Sequence, residues 1–187
     1  MIYFTSDLHF HHENIIPSCH RPFRNAEEMN EKLIRNWNEV VRPEDEVYIL
    51  GDVTLKGADA AYECLSQLCG KKYLVRGNHD SFVTKRTWEP YAFTFEWVKD
   101  YAELDIHGIS FILCHYPFLE WNHMYRGSIH LHGHQHNGSS YNEEQRAQGI
   151  RRYDVGVDAN GYRPVSMDHI LSFITPKLPV PGRKRKS

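Results

Sequence analysis

Five short patches of metal-ligand residues constrain this chain more than any other feature of its sequence. In order they are Asp7-Leu8-His9, Gly51-Asp52, Gly77-Asn78-His79-Asp80, His115 and Gly133-His134-Gln135-His136. Each ends or directly follows a short β-branched or aliphatic run, the composition of a buried strand. Carboxylate oxygen, amide oxygen and imidazole nitrogen hold hard and borderline divalent cations. A chain that delivers such groups from five strand ends is building one metal site. Asp7 and His9 are two apart, so an extended strand points both to one side. His134 and His136 repeat that spacing, and Gly133 lets the backbone pass close beside them. Asp52 has two oxygens and can bridge two cations.

The runs between the patches alternate in character. Ile2 to Ser6 reads as a strand. Asn25 with Glu28 three residues on forms an N-cap and capping box. Met29, Leu33, Trp37, Val40 and Val41 then recur at helical spacing, which predicts a helix over about 26–41, with Pro43 beyond it. Residues 46–50 form the next strand, 58–69 a second helix closed by Gly70, and 72–75 a third strand. This is a βαβ pattern. The second half is strand-rich. Extended segments are expected over 92–106, and strands over 110–114, 128–131, 153–157 and 170–174. The polar stretch 137–151 reads as a loop or hairpin tip. No repeat or interdomain linker is visible, so residues 1–175 are expected to form one domain. Residues 176–187 are expected to form a flexible tail whose basic run, Arg183 to Lys186, is more often solvated than docked on phosphates.

Composition narrows the function classes. The formal net charge of the 187 residues is −2, so no global field draws the chain to nucleic acid or membrane. The first residues lack a basic segment followed by an apolar stretch, and no run approaches a membrane span. Cys19, Cys64, Cys69 and Cys114 are scattered without a C-x-x-C pair, which predicts free thiols and a cytoplasmic location.

The five patches, in this order, resemble the calcineurin-like metallophosphoesterase family, over about the first three-quarters of the chain. The opening Asp7-Leu8-His9-Phe10-His11-His12-Glu13-Asn14-Ile15 and the late Arg163-Pro164-Val165-Ser166 are similar to those of small bacterial and phage members of the family. The resemblance implies an α/β fold: a four-layer αββα sandwich of two mixed β-sheets flanked by helices. It also implies two divalent metal ions. Asp7, His9, Asp52 and His136 would hold the first, and Asp52, Asn78, His115 and His134 the second, with Asp52 as bridge. Carboxylates and neutral ligands without thiolate suit Mn²⁺ first, with Fe, Zn²⁺, Ni²⁺ or Mg²⁺ as alternatives. The implied chemistry is in-line attack on phosphorus by a metal-bridging hydroxide. His79 would protonate the leaving oxygen or bind a phosphate oxygen, and Asp80 would orient His79.

Substrate contacts are less determined. The loop after the first strand would overlie the metals, bringing His12, Asn14, Arg21 and Arg24 within reach of substrate. Arg21 and Arg24 match phosphate geometry; otherwise they form a solvated pair. If the strand stays regular, His130, His132, His134 and His136 share a face. His132 then lies near the metals or is bonded to backbone, and His130 is structural. The expected partner is a phosphate ester, with a nucleotide or a short oligonucleotide end as candidates. Phosphodiesters are favoured, because His79 can assist a poor leaving group. A phosphomonoesterase, a silent scaffold of the same fold and a histidine-rich metal carrier are the competing readings.

Overall fold

The computed structural model describes residues 1–175; the basic tail lies outside them. Strand β1 (Ile2–Thr5) leads through the short helix α1 (Ile15–Ser18) to helix α2 (Ala26–Asn38) and strand β2 (Glu46–Ile49). Helix α3 (Ala58–Leu65) and strand β3 (Lys71–Val75) complete the βαβ run. Strands β4 (Val98–Lys99), β5 (Ala102–Ile106), β6 (Ile109–Leu113) and β7 (Ile129–His132) follow, then helix α4 (Ser140–Ala147) and strand β8 (Arg152–Asp154). Strand β9 (Val165–Ser166) and helix α5 (Met167–Ile174) close the described chain.

The strands form two mixed sheets. The first has the order β4-β3-β2-β1-β9, parallel except for the antiparallel β9. The second has the order β5-β6-β7-β8, in which only β5 with β6 is antiparallel. Side chains alternate along each strand, so each face of the first sheet has its own core. Phe4, Tyr48, Leu50 and Val75 pack against Phe111, Leu113, Ile129, Leu131 and Tyr153 of the second sheet. Tyr3, Val47, Ile49 and Leu74 turn the other way, onto Met29, Leu33 and Trp37 of α2 and Ala61 and Leu65 of α3. The result is two sheets face to face with helices outside. No helix of the described residues is long and apolar enough to cross a membrane.

Local differences from the sequence reading have identifiable causes. Helix α2 starts where expected, with the Asn25 side chain accepting from the Glu28 N–H, but ends at Asn38. Helix α3 ends at Leu65, well short of Gly70. Residues 86–94 wind into a 3₁₀ helix over part of the segment expected to be extended. The segment 170–174 is not a strand. The Ser166 side chain accepts from the His169 N–H and starts α5, whose Ile170 is buried. The five-residue run is too short to separate strand from helix by its apolar pattern, and the Ser166 cap decides for helix. The segment 137–151 is not a loop either, since α4 occupies its centre. Its buried residues are Asn142 and Gln145, so it has no apolar stripe to read. Instead the Asn142 amide pairs with the backbone N–H and carbonyl of Asp154, and Gln145 accepts from Arg152. These polar bonds fasten the helix beside β8.

Candidate metal centre

All five patches lie at the C-terminal ends of parallel strands, on one edge of the sandwich. Strands β1, β2 and β3 of the first sheet present Asp7 and His9, Asp52, and Asn78 with His79. Strands β6 and β7 of the second present His115, and His134 with His136. Backbone bonds lace the ends together: Asp7 N–H donates to Gly51 O (3.0 Å), His9 N–H to Asp52 O (3.0 Å) and Gly133 N–H to His115 O (3.0 Å). The His134 N–H crosses between the sheets to Asp7 Oδ2 at 2.9 Å.

Strand alternation does not aim the paired ligands. Asp7 and His9 have φ of 59° and 52°, and His134 and His136 have 71° and 49°. Asp52 is left-handed too, at 56°. Such backbone is sparsely populated by residues with a Cβ, and it concentrates at functional sites. The chain leaves each strand and curls, and the curl turns the side chains inward. Glycine clears the space beside them. A Cβ on Gly133 would stand 2.1 Å from Ser6 Oγ and 2.3 Å from Asp7 Oδ2, and one on Gly77 would stand 2.2 Å from Asp52 Oδ1.

Two groups of metal-ligand atoms result: Asp7, His9 and His136, and Asp52, His115 and His134. Within each group the atoms lie within 4.8 Å of one another. Asp52 Oδ2 stands 3.5 Å from His9 Nε2 of the first group and 3.5 Å from His115 Nε2 of the second. Asn78 Oδ1 lies 3.0 Å from His115 Nε2, and His134 Nδ1 lies 3.2 Å from the same atom.

Tautomers can be assigned from the partners, because a carbonyl or carboxylate oxygen only accepts. His115 Nδ1–H donates to Leu50 O at 2.7 Å, and His136 Nδ1–H donates to Asp158 Oδ2 at 2.7 Å. Their Nε2 atoms therefore face inward, where each neutral ring would offer a lone pair and where carboxylates and an amide oxygen also converge. His9 Nε2 is buried with no hydrogen-bond partner. A convergence of lone pairs with an orphaned imidazole nitrogen fits divalent cations. The charges agree. Burial pushes the Asp7 carboxyl up from 3.8 to about 7, against the pull of His115 and His136. Burial drives His9 down to about 2, opposed by Asp52. Burial also works to raise Asp52, but the hydrogen bond and charge of His115, then the His79 N–H and His9, hold it at about 2. A cation between these groups would stabilise every ligand form they need.

The remaining site expectations fare unevenly. His79 belongs to neither group. Its side chain is 38% exposed, Nε2 is 4.0 Å from Asp52 Oδ2, and its N–H donates to Asp52 Oδ1 at 2.9 Å. His12 is half-buried at the rim, with Nδ1 3.4 Å from His9 Nδ1. Asn14 is exposed at the start of α1, without a capping bond from its side chain.

Two assignments need correction, and one open alternative closes. Asp80 does not orient His79. Its buried carboxylate accepts the N–H groups of Asp52, Val53 and Gly77, each at 2.8 Å, and so fixes the loop that carries Asp52. Arg21 and Arg24 do not form a phosphate clamp. Arg21 is buried and its donors are taken by Asp158 and by the carbonyls of Asp7 and Leu8. Arg24 is solvent-exposed and paired with Glu28. Of the two readings of His132, the backbone-bonded one holds, and not a substrate contact: it is buried between Gly133 O and the Tyr141 hydroxyl. His130 is bonded to Ile112 O and the Phe118 N–H. Sequence reasoning missed Asp158. It follows Val155-Gly156-Val157, an aliphatic run ending in a carboxylate like the other blocks, and that signal was available.

A fold of two mixed sheets with two adjoining metal-ligand groups on one edge defines a metallophosphoesterase-like protein. The chain belongs to the calcineurin-like phosphoesterases, whose family profile matches residues 1–159. It is 39% identical over 177 residues to the protein MJ1445 of Methanocaldococcus jannaschii, covering 92% of this chain and 90% of that one. It is 29% identical over 197 residues to the Gene 66 protein of Mycobacterium phage L5, covering 92% and 93%. The crystal structure of AQ665 from Aquifex aeolicus is similar, with a TM-score of 0.70 and 29% identity over 91% of this chain and 97% of that one.

Proposed function

We propose that this chain is a dinuclear metal-dependent phosphoesterase that hydrolyses phosphate esters, diesters in preference. The observation that carries the reading is Asp52 Oδ2, a member of the second group that stands 3.5 Å from His115 Nε2 of its own group and 3.5 Å from His9 Nε2 of the other. A carboxylate so placed, and held ionised, is suited to bridge. Asp7, His9 and His136 would complete one site, and Asn78, His115 and His134 the other. Bound there, two cations would supply Lewis acidity toward phosphate oxygens and an ionised water near neutral pH.

The protein's own residues would do the rest. Asp52 and Asp7 bring the negative charge that retains the cations. His79, partly exposed and outside both groups, is placed to hydrogen-bond a phosphate oxygen or to give a proton to the leaving oxygen. That proton matters most for a poor alkoxide leaving group, which favours the diester reading. The oxygen- and nitrogen-donor set, without thiolate, supports Mn²⁺ first among divalent metals, ahead of Fe, Zn²⁺, Ni²⁺ and Mg²⁺. Residues 1–175 would act as one catalytic domain on a small or end-bound substrate such as a nucleotide or a short oligonucleotide end. Four free cysteines support work in a reducing cytoplasm.

The test uses metal-stripped protein and paired chromogenic monoester and diester substrates, before and after Mn²⁺. Diester turnover restored by metal and lost in Asp52→Asn is expected. Turnover of the monoester alone would move the substrate class. Two bound ions without turnover of either would overturn the enzyme reading.

A further inference from the structure

We infer that Arg21 and Asp158 form a positioning unit for one half of the metal centre, the half built from Asp7, His9 and His136. Neither residue is a ligand. Asp158 follows the second sheet, Arg21 follows α1, and 137 positions of sequence separate them. Yet their pairing is two-pronged: Arg21 Nε donates to Asp158 Oδ1 at 2.9 Å and Nη2 to Oδ2 at 2.8 Å. The side chains are 0% and 8% exposed. Burial of this kind rules out a solvent-screened surface pair of little consequence.

Apart from a contact of Arg21 Nη1 with Met29 Sδ at 3.4 Å, the outward side-chain bonds of the pair end on His136 or on the backbone of the Asp7–His9 turn. Asp158 Oδ2 accepts from His136 Nδ1–H at 2.7 Å, which commits that ring to presenting its Nε2 lone pair to the centre. Arg21 Nη2 donates to Asp7 O at 2.7 Å and Nη1 to Leu8 O at 3.1 Å. Those two carbonyls bracket the turn between Asp7 and His9, both left-handed. One guanidinium thus pins the curled backbone carrying two ligands, and its carboxylate partner orients the third. The planar fork of arginine can satisfy this set of acceptors where a lysine ammonium cannot. The other half is backed differently. His115 relies on the Leu50 carbonyl, and the Asp52 loop relies on Asp80.

Carboxylate–imidazole–metal arrangements change metal affinity by about 10–100-fold when the outer carboxylate is altered. The effect here should fall on one cation of the two. This inference rests on the dinuclear reading, and metal binding tests both without any substrate. Metal-stripped wild type, Asp158→Asn and Arg21→Lys are titrated with Mn²⁺ by calorimetry and equilibrium dialysis. Thermal melting in chelator is followed alongside to report the fold. Asn78→Ala, alone and combined with Asp158→Asn, identifies which cation is affected.

Wild type is expected to bind two Mn²⁺. Asp158→Asn should weaken one by about 10–100-fold and leave the other unchanged. Arg21→Lys, which keeps the charge but cannot fill the fork, should weaken the same one. The cation that survives Asn78→Ala should be the one that Asp158→Asn weakens. Two unchanged affinities in both variants would overturn the inference and leave the dinuclear reading intact. So would equal weakening of both cations with a lowered melting point, the mark of a merely structural pair. Wild type that binds fewer than two ions would overturn the dinuclear reading itself.

Discussion

Asp7→Asn should stabilise the metal-free protein and destabilise the metal-loaded one. Asp7 is fully buried, and burial raises its carboxyl from 3.8 to about 7. A group whose folded pKa is raised contributes its stability below the unfolded value and loses it as pH climbs through the folded one. The metal-free wild type therefore gives up stability between about pH 4 and pH 7 on account of this one group. One pH unit corresponds to 1.36 kcal/mol, so the gap amounts to about 4 kcal/mol at pH 8. Asparagine carries no charge to bury, and its amide oxygen can still accept the His134 N–H. Its NH₂ group fits less well beside Gly133 and Gly156, so about half the gain, roughly 2 kcal/mol, is expected to survive. For a chain of this length that is about 4–8 °C in Tm. His9 is held low in both proteins, and its acid penalty cancels in the difference. The assay is thermal melting by circular dichroism in chelator at pH 4 and pH 8, then at pH 8 with saturating Mn²⁺. The variant should match wild type at pH 4, exceed it at pH 8 and fall below it once metal is added, because ligand binding stabilises only the state that binds. The reasoning fails if the two proteins show parallel pH dependence in chelator, or if Mn²⁺ raises the variant as much as the wild type.

Other outcomes follow from the same geometry. His79→Ala should lower turnover by about 10²–10⁴-fold while equilibrium dialysis still finds both Mn²⁺; loss of both ions would make His79 a ligand. Asp80→Ala should behave differently, because it strands the buried N–H groups of Asp52 and Val53 at about 1–3 kcal/mol each, and the half-buried one of Gly77; a large fall in Tm in chelator is the check, and an unchanged Tm would contradict it. Gly133→Ala forces a Cβ to within 2.1 Å of Ser6 Oγ, so urea unfolding of the metal-free protein should lose about 1–3 kcal/mol, and no loss would mean that the loop yields easily.

The sequence disclosed the centre better than its surroundings. Asp7, His9, Asp52, Asn78, His115, His134 and His136 were legible as candidate ligands because each follows a strand-forming run, and the ends of parallel strands converge. Their aim was misread. Alternation predicts it from extended backbone, whereas the residues are left-handed, a conformation for which aspartate and histidine are enriched but still uncommon, so side-chain identity alone does not announce it. The roles of Asp80 and Arg21 were misread for a related reason. An aspartate beside a histidine suggests a pair, and an arginine near a phosphate site suggests a clamp. Whether a charged group serves backbone or substrate depends on burial, which comes from long-range packing. Helix α4 stayed hidden because its inward face is polar and its partners are the backbone groups of β8. Helix α5 was misread from an apolar run too short to separate the two periodicities.

The ligands' distribution between two sheets has a consequence for the order of events in biosynthesis. The chain emerges from its N-terminus, and a domain generally folds as a unit. The leading segment carries Asp7, His9, Asp52 and Asn78, yet each ligand group also draws on a histidine beyond residue 114. The carboxylate that orients His136 is later still. A nascent chain of 100 residues would thus hold strands and acids but no complete cation pocket. Both candidate ligand groups would be completed only with the last strands, after the polypeptide has closed its second sheet.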